Sequence, residues 1–331
     1  MEAYIKAISY YLPETIVTNE QLVEEFPEWS VEKIAKKVGI NERHIAAEDE
    51  TAGDMAYKAA EKLLSENRID KNTIDFVLLC TQSPDYFLPS TSCVIQSRLC
   101  LPTKCGAFDF NLGCSGYEYG LAVAKGFVMS GVAKNILLLT AETYNKHIHP
   151  KDKGNRTIFG DGASATLIST DGFAKIGEFV LGTDGSGFDR LIHKTGAMRY
   201  YQPKNDLHND ENGNPLSSDY LFMDGKAIFD FTSDVVPPMI EETLQKNQLT
   251  MNDVNLFVFH QANKYMINYL RKLMEIDREK FYVFMETVGN TVSSTIPIAL
   301  CEALKEGKLE GNIVLAGFGV GLSYGATVIY V

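Results

Sequence analysis

The chain repeats itself, and this restricts its fold more than any other feature. NTIDFVLLCTQ (72–82) aligns with NDVNLFVFHQA (252–262), each a polar start, a buried-strand run and a polar exit, which sets Cys80 opposite His260. FNLGCSGYEYGLAVA from Phe110 aligns with ETVGNTVSSTIPIAL from Glu286, setting Cys114 opposite Asn290. KNILLLT (134–140) and GDGASATLI (160–168) find counterparts in GNIVLAG (311–317) and GLSYGATVI (321–329). Matched blocks in one order predict two similar α/β halves, 1–172 and 173–331. Runs such as FVLLC, ILLLT, LFVFH and NIVLAG are apolar without alternation, as expected of strands covered by helices on both faces. Two layered sheets with helices between and outside them follow. The segment 201–220 is polar, rich in Asn, Asp, Gly and Pro and without periodicity, so it reads as a long loop, a lid or a mobile excursion.

With 331 residues, 45% of them hydrophobic, the chain can bury a large core. Its apolar runs are far shorter than the ~20 residues that span a bilayer. The N-terminus MEAYIKAISYYLPET lacks the basic start and apolar block of a signal peptide, so a cytoplasmic location is expected. The six cysteines form no CxxC pair and no zinc-like His-Cys spacing, so no metal site is expected. A net charge of −12 opposes nucleic-acid binding, and an acidic partner must meet a local basic patch.

Ligands collect at the C-terminal ends of strands in open α/β sheets, where Cys114, His260 and Asn290 all fall. Cys114 follows the strand-like GAFDFNL and a glycine, and a helical pattern (Tyr117, Leu121, Ala124, Val128) begins directly behind it. A helix N-terminus favours thiolate, so a lowered pKa and a nucleophile are predicted. A histidine at a strand end is often a satisfied core residue, and an asparagine before a helix is often a cap. The equivalence of Asn290 with Cys114 under the repeat favours the functional reading, with two halves delivering strand ends to one cleft. GFGVG (317–321) lacks the third glycine and the following βαβ unit of a dinucleotide site. Close backbone packing or oxyanion-hole N–H groups suit these glycines better. DGSGFD (184–189) reads as a turn.

GINERHIA (39–46), SPDYFLPSTSCVIQ (83–96), NLGCSG, FGDGASA (159–165), HQAN (260–263), GNTVSSTIP (289–297) and GFGVGLSYG (317–325) together resemble the β-ketoacyl-acyl carrier protein synthase III family of the thiolase-like superfamily. The resemblance covers essentially the whole chain and implies a homodimer of the five-layered αβαβα fold. It also implies a ping-pong reaction on thioester substrates, with acyl carrier protein as partner and no bound cofactor or metal. By motif, Cys114 is the acylated nucleophile, and His260 and Asn290 stabilise the enolate formed as malonyl thioester loses carbon dioxide. The N–H groups of Cys114 and Val320 form the oxyanion hole. An enolate oxygen needs hydrogen-bond donors and no base, which is what His and Asn can both supply.

Several positions depart from the family pattern. The tryptophan and arginine expected around a coenzyme A adenine fall at Lys33 and Lys153, and a second arginine at Lys37, leaving a lysine-lined entrance for the pantetheine arm. The arginine two residues after HQAN is Tyr265, the middle glycine of GFGGG is Val320, and Leu88 stands where a dimer-partner aromatic lines the acyl pocket. A carrier-bound acyl donor is therefore expected over free coenzyme A, docking on Lys264, Arg271 and Lys272. The rival readings are an acyltransferase to a hydroxyl or amine on the same scaffold and a non-catalytic synthase subunit. Asn290 argues against the first and the intact nucleophile against the second.

Overall fold

In the computed structural model, which describes residues 2–211 and 213–331, the chain begins β1 (Tyr4–Tyr11), β2 (Thr15–Thr18), α1 (Asn19–Glu25), α2 (Val31–Val38), β3 (Glu42–Ile45) and α3 (Ala52–Glu66). It continues β4 (Phe76–Cys80), α4 (Thr91–Arg98), β5 (Gly106–Phe110), α5 (Gly116–Ser130), β6 (Ile136–Glu142), α6 (Lys153–Arg156) and β7 (Gly162–Ser169). Then come β8 (Ala174–Thr183), β9 (Leu191–Ile192), β10 (His208–Asn209), β11 (Pro215–Leu216), β12 (Phe222–Met223) and α7 (Gly225–Lys246). The last elements are β13 (Leu256–Phe259), α8 (Lys264–Leu273), α9 (Thr295–Lys305), β14 (Asn312–Gly319) and β15 (Ser323–Tyr330).

Nine strands join in the order β5-β4-β6-β7-β1-β8-β15-β14-β13. From the β1–β8 junction outward the two sides repeat. β1 and β8 run antiparallel to β7 and β15, these run antiparallel to β6 and β14, and those run parallel to β4 and β13. β5 extends the first side, and its counterpart is reduced to the isolated parallel bridge Phe257–Phe281. The two layered sheets are joined to each other through the β1–β8 pairing, Tyr4 with Lys175 and Ile5 with Ala174.

Successive strand residues face opposite layers. On the first side Val77, Leu79, Leu137 and Leu139 pack with α3 residues such as Met55 and Leu63, while Leu78 and Leu138 face the other way. On the second side Phe257, Phe259, Val314 and Ala316 pack with α7 and α8, while Leu256, Val258, Ile313 and Leu315 face inward. Both inward sets meet Tyr117, Leu121 and Ala124 of α5 and Ile296, Ala299 and Leu300 of α9. The order helix, sheet, helix pair, sheet, helix is the five-layered αβαβα arrangement. Its middle layer explains why TIPIALCEALK is apolar nearly all round: α9 meets water only near its C-terminal end.

Segment 201–220 is more structured than expected. β10 and β11 form a short antiparallel pair, and β12 pairs with β9 to tie the excursion to the body. Asp219 accepts from the Lys204 and Asn205 amides at 2.7 Å each, and Asp206 from the Ser218 amide at 2.8 Å, so its acidic residues stabilise turns. Asn212 lies outside the described residues.

Because Leu300 is wholly buried in the layer both sheets share, Leu300→Ala should cost about 2–5 kcal/mol in urea unfolding. Leu304→Ala, at an exposed position of the same helix, should change stability by less than about 1 kcal/mol.

Candidate active site

The strand β5 ends at Phe110 and the chain turns through Gly113 into α5, leaving Cys114 two residues ahead of the helix. Ser115 gives α5 no side-chain cap; its hydroxyl pairs instead with Ser323 at 2.7 Å. The Ser115 side chain thus caps none of the first-turn amides beside the thiol, and the Gly116 N–H donates to the Gly113 carbonyl at 2.8 Å. GFGVG forms the end of β14 and the turn into β15, pairing Gly319 with Ser323. A side chain at Gly319 would stand 2.8 Å from Cys114 Sγ, and one at Gly317 would stand 2.5 Å from the Cys114 carbonyl oxygen. These glycines let β14 approach the nucleophile, and the backbone N–H groups of Val320 and of Cys114 itself act on the sulfur.

The predicted low pKa of Cys114 is not what the structure gives. Burial, the largest effect, pushes the thiol up to about 12, and the nearby Glu142 and Glu118 carboxyls add to it; the two amides oppose them. Dehydration of a thiolate outweighs the helix terminus, so the Cys114 thiol is neutral at physiological pH.

His260 follows β13 and Asn290 precedes the turn into α9; both are buried. His260 Nδ1 lies 2.7 Å from Thr295 Oγ1. Burial holds this imidazole down to about 3, so it is neutral at physiological pH. Asn290 is threaded between segments of both halves: its N–H donates to the Ile158 carbonyl at 2.9 Å and its carbonyl accepts from the Gly160 amide at 3.0 Å. Its Oδ1 accepts from the Val292 amide at 2.9 Å, an Asx-type turn that turns Nδ2 outward as the donor. Nδ2 spends one proton on the Ala262 carbonyl at 3.3 Å.

Val292 connects the three residues. Its amide holds Asn290, its carbonyl acts on His260, and its side chain would meet a Cβ on Gly113, the neighbour of Cys114, at 3.3 Å. It is a β-branched residue at φ 55, fully buried. Such a conformation stores about 1–3 kcal/mol of strain and persists only where the surroundings enforce it.

A groove of roughly 460 Å³ is lined by Trp29, Lys37, Lys153, Thr157, Ile158 and, from the excursion, Leu207, Pro215 and Tyr220, and not by Cys114, His260 or Asn290 themselves. Ile158, in its wall, carries the carbonyl that holds Asn290. Lys37 and Lys153 line it, Lys153 in an ion pair with Glu28 at 2.6 Å. Lys33 does not line it; its ammonium lies 5.2 Å from the centre of the Trp29 ring. The aromatic that the sequence did not place at this entrance is Trp29. Trp29 stands four residues earlier than Lys33, and as the chain's one tryptophan it was the signal available.

The basic patch on α8 is smaller than predicted. Lys264 and Lys272 are exposed, but Arg271 donates to the Ile276 carbonyl at 2.7 Å and closes its own helix end. Exposed Tyr265 and Tyr269 lie beside them, packed on Phe229. Of the other cysteines, Cys80, Cys105 and Cys301 are buried and Cys93 and Cys100 exposed, all as free thiols. Among the described residues no group of three or more His, Cys, Asp or Glu could hold a metal, and no helix is long and apolar enough to cross a membrane.

This fold and this cluster define a thiolase-like condensing enzyme. Family models for 3-oxoacyl-[acyl-carrier-protein] synthase III match residues 108–185 and, as its C-terminal part, 244–331. The chain is 38% identical to a β-ketoacyl-[acyl-carrier-protein] synthase III of Clostridium perfringens over 322 residues, 96% of each chain. A solved 3-oxoacyl-(acyl-carrier-protein) synthase III superposes over 100% of both chains with a TM-score of 0.98 and 45% identity. The synthase III of Thermus thermophilus superposes over 99% of both with a TM-score of 0.88 and 34% identity. The chain belongs to the β-ketoacyl-acyl carrier protein synthase III family. Its activity is that of an acyltransferase-type condensing enzyme of fatty-acid biosynthesis acting on thioesters.

A thiol held up to about 12 sets the pH dependence of its alkylation. The rate of Cys114 modification by iodoacetamide should climb about tenfold per pH unit from neutrality upward without levelling, because the thiolate fraction grows that way below the pKa. A plateau reached near neutral pH would show a depressed pKa instead.

Proposed function

We propose that Cys114 carries the acyl group while His260 and Asn290 hold the carbonyl oxygen of the malonyl thioester. The observation that carries this reading is that both residues are buried, with the imidazole neutral and the Asn290 amide oriented by the Val292 N–H. An imidazole held down to about 3 is a poor base, whereas an enolate left by departing carbon dioxide needs donors aimed at its oxygen. In the first half-reaction the Cys114 sulfur forms a thioester with the acyl carbon, and the proton of the thiol leaves with the displaced carrier thiol. The Val320 and Cys114 N–H groups receive the tetrahedral oxyanion. In the second, the malonyl carboxylate leaves as carbon dioxide and the resulting enolate carbon attacks the acyl carbon. The freed Cys114 sulfur then regains a proton from solvent.

The halves 1–172 and 173–331 divide this work, the first supplying the nucleophile and the second the two donors. The groove between Trp29, Lys37 and Lys153 takes the phosphopantetheine arm that coenzyme A and acyl carrier protein share. An indole face at this entrance is suited to a nucleotide, so the case against coenzyme A donors made from the lysines is weakened. The carrier protein, acidic by this reading, meets Lys264 and Lys272. A cytoplasmic homodimer completes the proposal: β5 ends the sheet with no outer neighbour, and Tyr86, Phe87 and Leu88 are exposed on the nearby 83–90 segment. Transfer to a hydroxyl or amine would leave Asn290 without a task, and a non-catalytic role would leave Cys114 without one.

His260→Ala and Asn290→Ala should each lower decarboxylation of malonyl-carrier protein by about 10²–10³ while Cys114 still acquires the acyl mass. Intact-mass and carbon dioxide measurements on each variant decide it. Unimpaired condensation by Asn290→Ala would return the advantage to simple acyl transfer.

A further inference from the structure

A neutral imidazole can stabilise an enolate oxygen only if the nitrogen facing it bears the proton. Of the two ring nitrogens of His260, Nδ1 has the Thr295 hydroxyl at 2.7 Å, and among the described residues no hydrogen bond to Nε2 is found. Histidine and threonine are both nearly inaccessible, 2% and 3% exposed, so water does not compete for this contact. The hydroxyl has one proton and two acceptors in reach, His260 Nδ1 and the Val292 carbonyl at 3.1 Å. That carbonyl already accepts the backbone N–H of Thr295, which closes the turn before α9. The imidazole nitrogen has no other donor. We propose that the Thr295 hydroxyl donates to His260 Nδ1 and so holds the ring proton on Nε2, making Thr295 a positioning residue for decarboxylation.

The inference rests on the assignment of His260 as an enolate donor. Its force comes from the alternative. The Val292 carbonyl lies on the Nδ1 side of the ring, 3.1 Å from the same hydroxyl, so a ring without that hydroxyl has an acceptor there and no donor, which favours a proton on Nδ1. Nε2 then presents a lone pair where the thioester oxygen develops charge. One buried hydrogen bond is enough to choose between two tautomers of similar energy. Thr295 is the first residue of α9, so the helix buried between both sheets also fixes the position of the hydroxyl. Its placement does not depend on a mobile loop.

Thr295→Val keeps the side-chain shape and removes the hydroxyl; Thr295→Ser restores it. With ¹⁵N-histidine labelling, and His260→Ala to assign the signal among the six histidines, wild-type and Thr295→Ser protein should show a protonated Nε2 and bare Nδ1. Thr295→Val should show the reverse. Decarboxylation of malonyl-carrier protein should fall by about 10²-fold in Thr295→Val, remain near wild type in Thr295→Ser, and Cys114 should acylate in both. A wild-type His260 protonated on Nδ1, or full decarboxylation by Thr295→Val, overturns the proposal. If Thr295→Val does not fold, the wild-type and Thr295→Ser spectra decide alone. If His260→Ala itself decarboxylates normally, the underlying assignment of His260 fails rather than the tautomer argument.

Discussion

Everything at the catalytic centre depends on the burial of two helices, α5 and α9, between the two sheets. Because both are enclosed, their starts are fixed in place by contacts within the protein rather than by water. At α9 the Ser294 hydroxyl joins Thr140 at 2.7 Å, and Thr140 joins Ser164 at 2.8 Å, so its start is bolted to β6 and β7 of the other half. At α5 the Ser115 hydroxyl joins Ser323 at the start of β15. Each helix is thus fastened across the molecule by buried hydroxyl pairs, and Cys114 and Asn290 sit just ahead of the fastened ends. Two side chains far apart in sequence are held in one site by packing that no local sequence preference could supply.

The same burial decides the chemistry. A dehydrated site disfavours charge, which raises the Cys114 thiol and lowers the His260 imidazolium. Such a pair is unsuited to a resting ion pair or to general-base catalysis by histidine. It suits a neutral nucleophile that ionises as its proton leaves with the displaced thiol, and fixed dipoles that meet negative charge when it forms. The strained Val292 belongs to the same design, since its backbone orients Asn290 while its carbonyl lies against His260.

Much of this was legible in the sequence because the duplication is written in it. The pairing of FVLLC with LFVFH and of Gly-Cys with Gly-Asn located the strands, their ends and the candidate residues, and GFGVG was readable as close backbone approach. What could not be read depends on contacts between distant segments. The pKa of Cys114 was misjudged because the helix terminus is visible in sequence and complete burial is not. Arg271 looked free on its helix, yet its guanidinium reaches the Ile276 carbonyl that closes the helix end. Trp29 reaches the groove from a loop whose course no periodicity specifies. Segment 201–220 lacked a pattern because its order comes from Asp206 and Asp219 binding backbone amides, which composition shows only as polarity.

The central claim is that acyl transfer from Cys114 and decarboxylation are one coupled event in a shared site. Enzyme loaded stoichiometrically with an acyl group on Cys114 is mixed with malonyl-carrier protein in a rapid-quench apparatus, and acyl-enzyme mass and released carbon dioxide are followed together. The account predicts that each acyl group lost from Cys114 appears as β-ketoacyl-carrier protein with one carbon dioxide released. Loss of the acyl group to an acceptor without carbon dioxide would contradict it.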